Sequence, residues 1–162
     1  RSELNFARPF LFAHMDEGTN YGHLGIPLAH PIGANFAEVY SSCSWNFPNS
    51  FSLRLDVMIL QQGGQAETPD VSFGSDIYIS YINRPRDEFG QWIDYGYVIG
   101  GDGQLNRQRI SLEAAYTISK NFNVQAFIRP ILERQAGFEA QSGFLLFGGV
   151  RTNLWNERSL RF

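Results

Sequence analysis

The stretch FSLRLDVMIL, residues 51–60, alternates between apolar and other side chains along most of its length. Every second residue from the first phenylalanine onward is apolar, whereas the interleaved Ser52, Arg54 and Asp56 are polar. Successive side chains of a β-strand point to opposite sides, so this alternation predicts a strand with one apolar and one polar face.

The same period of two recurs along much of the chain, and helical periodicity is nearly absent. The further predicted strands are residues 4–13, 36–47, 109–118, 122–134 and 144–154. These segments predict an all-β, antiparallel protein that forms a single domain over residues 1–162.

Composition excludes several classes of function. The net charge is −3, which lacks the basic footprint of a nucleic-acid-binding protein. The single cysteine, Cys43, cannot form an internal disulfide, and no Cys/His spacing indicates zinc. No GxSxG motif or other nucleophile motif is present, so the chain is not expected to be an enzyme or to carry a cofactor.

The connections between the predicted strands alternate in length. Short turns occupy residues 48–50 and 119–121, whereas the long connections include residues 14–33 and 61–107. Following the strands in order places the short turns at one end and the long loops at the other, as in outer-membrane β-barrels. We therefore expect a transmembrane barrel in a bacterial outer membrane, with extracellular long loops and a periplasmic C-terminus.

The strand count depends on the segment 61–107. Residues 75–84 and 92–99 both have strand composition and are separated by a polar turn at 85–91. Two further spanning strands would give eight, enough for a small barrel. An extracellular hairpin, which Pro85 favours, would leave six strands and make the chain the C-terminal part of a larger barrel.

A soluble β-sandwich or ligand-binding barrel is the alternative, and it would turn a charged, lysine-rich face outward. The chain has one lysine, Lys120, and its charged residues make up only 18% of the total. Charges of opposite sign lie within reach on the polar rows, which suits a lumen joined by ion pairs. The expected lumen ion pairs are Arg54 with Asp56 and Glu113 with Arg129.

The predicted long loops hold two candidate sites. Aromatic rings can stack on sugars, and the candidate sugar contacts are Tyr21, Tyr78, Tyr81, Trp92, Tyr95 and Tyr97. All three histidines, His14, His23 and His30, lie in loop 14–33 and are candidate metal ligands. Their spacing matches no local ligand motif, so a compact loop whose histidines bond to the backbone is favoured.

Three motifs resemble a known family: ARPFLFAH (7–14), NYGHLGIPLAHPIGANFAE (20–38) and FGGVRTNLWN (147–156). Together they resemble the C-terminal barrel region of Wzi-like capsule-assembly and RemB-like gliding-motility proteins of bacterial outer membranes. The resemblance implies a portion of a larger barrel and a noncatalytic role in capsular polysaccharide attachment or in gliding motility and adhesion.

The barrel interpretation implies two partners, outer-membrane lipid and the barrel-assembly machinery, for which Phe162 is the expected signal. The resemblance implies surface polysaccharide or other surface and motility proteins as further partners. An outer-membrane channel for small solutes is the alternative function, and a surface enzyme on the histidine loop is a further class.

Overall fold

The computed structural model describes residues 1–24, 26–48, 50–64, 71–101, 104–119, 124–137 and 140–152. These residues form strands, turns and loops, and none of them is in an α-helix. Two short 3-10 helices are present, at Glu17–Thr19 and Tyr81–Asn83. None of the helical segments in this part of the chain has the length and apolarity needed to cross a bilayer.

Six strands form one antiparallel sheet. In chain order they are β1 (Ser2–Ala7), β4 (Phe36–Asn46), β5 (Phe51–Gln62), β6 (Leu105–Ser119), β7 (Val124–Ala136) and β8 (Gln141–Thr152). The strands lie in the order β1-β4-β5-β6-β7-β8, so the sheet is open with β1 and β8 at its edges. Two short strands, β2 (Gly22–His23) and β3 (Ile26–Pro27), pair separately. The all-β antiparallel prediction is confirmed.

Period-two alternation located most of these strands to within a few residues. The exception is the predicted strand 4–13, because β1 ends at Ala7. The chain then turns at Pro9, and Phe10 adopts a left-handed backbone with φ of 59°.

The predicted strands at 75–84 and 92–99 are wrong. Between β5 and β6 the described residues add no strand to the sheet, and a single bridge joins Arg86 to Trp92. Local side chains favour turns here, since Asp76 accepts from the N–H of Tyr78 and Ser80 accepts from that of Ile82.

The register gives the sheet two distinct faces, because directly paired residues of neighbouring strands share a face. One face, here called the polar face, includes Glu38, Asp56, Ser111 and Arg129. The other, here called the apolar face, is rich in aliphatic and aromatic residues.

Side chains of the apolar face are largely exposed. The large exposed residues on this face are Leu4, Phe6, Val39, Trp45, Phe51, Ile59, Ile110, Leu112, Tyr116, Ile118, Ile128, Leu132, Phe144, Leu146 and Val150. The buried residues of the sheet include Glu38, Asp56 and Ser111 on the polar face. This distribution is the reverse of a soluble sheet, which covers its apolar face and exposes its polar one.

The short turn from β4 to β5 is closed by a backbone hydrogen bond of 2.8 Å between Phe47 and Phe51, whose rings lie 5.6 Å apart. The turn from β6 to β7, including Lys120, lies outside the described residues, as does the expected assembly signal Phe162.

Candidate functional site

The described parts of residues 8–35 and 71–101 form a layer, here called the loop layer, at the end of the sheet opposite the Phe47 turn. A buried apolar cluster attaches the layer to the sheet and consists of Ala7, Ala34, Phe36, Leu60 and Ile77. Phe36 and Leu60 belong to the polar face by register. The loop layer therefore packs over the end of the polar face.

Asn35 forms hydrogen bonds with several separate segments of the chain. Its side chain donates to the carbonyl of Phe73 at 3.0 Å and accepts from the N–H of Gly100 at 2.9 Å. Its carbonyl accepts from the N–H of Gly63 at 2.8 Å. Asn35 has φ of 53°, a left-handed conformation that asparagine tolerates better than most residues. One residue thus links four separate segments.

A cavity of about 420 Å³ opens in this layer. It is lined by Arg8, Pro9, Phe10, Leu11, Tyr81, Arg84, Asp94, Tyr95, Gly96 and Tyr97. The Ser80 hydroxyl donates to the carbonyl of Met15 at 2.8 Å, so the segment carrying Tyr81 is tied to the N-terminal part of the layer.

Arg84 organises the polar side of this cavity. Its guanidinium forms an ion pair with Asp94 and lies 5.5 Å from the ring of Tyr81 and 5.7 Å from that of Trp92. Arg86 covers Trp92 at 3.8 Å. The Nε of Arg84 is buried and has no hydrogen-bond partner among the described residues, so it can donate to a ligand.

The aromatic side of the cavity combines one fixed ring with one exposed ring. Tyr97 packs edge-on against Phe10 with centroids 5.1 Å apart, and its hydroxyl donates to the carbonyl of Ile93 at 3.0 Å. Tyr95 is 88% exposed and sits beside Gly96, whose φ of 90° favours glycine. A planar ring and buried donors together can hold a polyhydroxylated ligand.

The structure brings together four of the six predicted sugar contacts. Tyr81, Tyr95 and Tyr97 line the cavity, and Arg84 connects Trp92 to it. Tyr21 stacks on Phe12 elsewhere in the layer, at 5.8 Å.

Tyr78, the sixth predicted sugar contact, packs against the buried cluster. Its hydroxyl lies so close to Gly22 that a Cβ added at Gly22 would be 2.3 Å from the hydroxyl oxygen.

Sequence reasoning missed Arg8 and Asp94 as members of this site. Arg8 is brought to the cavity by the turn after β1, and Asp94 by its ion pair with Arg84. For the neighbouring part of the site the sequence does carry a signal, in the turn 83–88. Its two arginines, Arg84 and Arg86, are suited to binding an anion.

The histidines have separate surroundings. The Nδ1 of His14 lies 2.6 Å from the Thr19 hydroxyl, whereas His30 stacks on Phe36 and lies 3.5 Å from Glu38. His23 is exposed in β2. No group of three or more potential metal-binding side chains occurs in the part of the chain that is described.

A polar network crosses the centre of the sheet. Asp56 accepts from Arg54 Nε and the Tyr40 hydroxyl, both at 2.9 Å, and from Ser111 and Arg129, both at 3.3 Å. The expected contact of Arg54 with Asp56 is present.

The partners of the second expected pair differ from those expected. Arg129 lies beside Asp56, and Glu113 contacts Arg151 of β8 at 2.8 Å.

No protein family, curated protein or solved structure was found to match this chain.

Proposed function

We propose that this chain is part of an outer-membrane β-barrel whose apolar face contacts lipid and whose loop layer is extracellular. The observation that carries this proposal is that the large exposed side chains of the sheet are concentrated on its apolar face. In water such a face would be an aggregation hazard, whereas hydrocarbon is its favourable environment.

Strand lengths agree with this location. The strands β4 to β8 have 11, 12, 15, 13 and 12 residues, and a tilted transmembrane strand needs about 9–11. The ion pairs and hydrogen bonds around Asp56 lie on the opposite face, as expected for a polar lumen.

The proposed role is noncatalytic: attachment of surface polysaccharide, or adhesion during gliding. The loop-layer cavity supports this role. The exposed ring of Tyr95 offers a face for a pyranose ring, and the Nε of Arg84 can donate to a sugar oxygen.

The test uses the native gene product, purified from outer membranes and presented with surface polysaccharide from the same cells. Tyr95→Ala and Arg84→Gln are expected to weaken retention on immobilised polysaccharide. Tyr116→Ala is the matched control, because Tyr116 is exposed on the apolar face, away from the cavity. Equal retention of all variants would contradict the proposed site.

The electrical conductance of the protein in planar bilayers distinguishes polysaccharide attachment from the alternative function, a solute channel. The loop layer covers the end of the polar face, so little current is expected through the protein in planar bilayers. A large, steady single-channel current would favour a solute channel.

A further inference from the structure

One arginine lies on the apolar face. Arg134 of β7 shares that face with Leu132 and Ile128, and it is the only charged side chain there among the described residues of the six-stranded sheet. An isolated cation on a lipid-facing surface is unfavourable near the bilayer centre and much less so near the interface.

The other strand arginines with ion pairs lie on the polar face. Each of them contacts a carboxylate, and they are Arg54, Arg107, Arg129 and Arg151. Arg134 has no ion pair or side-chain hydrogen bond among the described residues. Its guanidinium is exposed and able to bind an anion from outside the sheet.

Register places polar groups on both sides of Arg134. It pairs with Gln108 on β6 and with Ser142 on β8, so the three form a polar row across three strands. Arg134 is two residues before the end of β7, at the long-loop end of the sheet. In the proposed orientation, this row lies at the depth of the headgroups in the outer leaflet.

An apolar row lies directly below the polar row. Ile110, Leu132 and Phe144 are paired across the same three strands, and all are exposed. The two rows line a groove of about 470 Å³. Glu133 also borders the groove, but its carboxylate is 3.4 Å from Arg107 on the polar face.

We propose that this groove binds a phosphate-bearing lipid of the outer leaflet, and this inference rests on the proposed outer-membrane location. Arg134 binds the phosphate, Gln108 and Ser142 contact the headgroup, and an acyl chain lies along Ile110, Leu132 and Phe144. Charge complementarity favours this occupant, since a guanidinium forms paired hydrogen bonds with phosphate while the row below it is apolar.

The test is native mass spectrometry of the full-length protein in detergent, titrated with a diphosphorylated, multiply acylated glycolipid or with its dephosphorylated form. The wild-type protein is expected to bind the phosphorylated lipid more tightly. Arg134→Gln should weaken that binding about tenfold and remove the preference, as loss of a charge-assisted contact would. Arg134→Lys should retain part of it.

Two further variants separate the contribution of the Arg134 charge from that of the apolar row. Arg109→Gln is the matched control, because it removes the same charge from the polar face near the same end of the sheet. Leu132→Ser should weaken both lipids equally, because it alters only the acyl-chain row. Inorganic phosphate, added in excess, should not displace the lipid, since it has no acyl chain to fill the groove.

The inference would be overturned by equal binding of the two lipids, or by equal losses in Arg134→Gln and Arg109→Gln. Heat-modifiable gel migration and membrane fractionation are measured in parallel. A protein that inserts but lacks a phosphate preference contradicts the lipid site alone. A protein that does not insert contradicts the proposed location and the lipid site together.

Discussion

The side-chain oxygen of Asn35 accepts a hydrogen bond from the backbone N–H of Gly100, 2.9 Å away. Asn35 is 1% exposed, and its amide nitrogen also donates to the carbonyl of Phe73. These bonds connect the chain just before β4 with the segment between β5 and β6. One buried amide therefore connects two separate parts of the loop layer.

Replacing this amide should loosen the loop layer. Asn35→Ala removes both side-chain bonds and leaves two backbone groups without partners, which costs about 1–3 kcal/mol for each buried group. We expect faster hydrogen exchange in residues 71–101 with unchanged exchange in β5 and β6. Asn106→Ala, at the start of β6, is the control. Unchanged exchange in the loop layer of Asn35→Ala would contradict this role.

Adding a methyl group at one of two glycines tests how tightly the residues around Asn35 are packed. A Cβ at Gly63 would lie 1.9 Å from the Nδ2 of Asn35, whereas a Cβ at Gly143 would meet nothing within 4 Å. Gly63→Ala should displace Asn35 and cost about 1–3 kcal/mol, as overpacking does. Gly143→Ala should leave the melting temperature nearly unchanged. Similar melting temperatures for the two variants would show that Asn35 has room to move.

Asp56 should stabilise the centre of the sheet. It is 7% exposed and contacts both Arg54 and Arg129, so Asp56→Asn leaves two guanidinium groups without their carboxylate. We expect a loss of about 1–3 kcal/mol, seen as a lower temperature for the heat-dependent gel shift. Glu3→Gln, at the edge strand, is the control and should have little effect. An equal shift in both variants would argue against a central network.

The free-energy cost of introducing a charge on the apolar face should depend on how far the residue lies from the end of its strand. Leu112 is in the middle of β6, and Ile118 is next to its end. Leu112→Arg should cost about 2–4 kcal/mol in a bilayer and Ile118→Arg about 0–1 kcal/mol, measured by folding into lipid vesicles. Both residues are exposed, at 43% and 60%, so a water-facing sheet would tolerate both substitutions equally.

Local pattern was sufficient for the long strands and insufficient for the loop layer. The alternation in 51–60 reflects the two faces of β5, a property of neighbouring residues alone. Residues 75–84 have strand composition, yet Ile77 is buried in the cluster with Phe36 and the backbone turns at Ser80. That outcome depends on contacts with distant segments, which period two does not encode.

The same distinction applies to the sites. Three of the aromatic residues singled out from the sequence line the loop-layer cavity, whereas the positions of Arg8 and Asp94 depend on tertiary contacts. The pairing of Glu113 with Arg151 needs the register of β6, β7 and β8, which the sequence leaves open.

The central claim is that the apolar face contacts lipid, and spin-label accessibility along β6 tests it most directly. Single cysteines are placed from Gln108 to Ile118 in a Cys43→Ser background, and the native protein is reconstituted in bilayers. Collision with oxygen should peak at every second position, including Ile110, Leu112 and Tyr116, while a water-soluble relaxation agent should not reach them. High accessibility to the water-soluble agent at those positions would contradict the account.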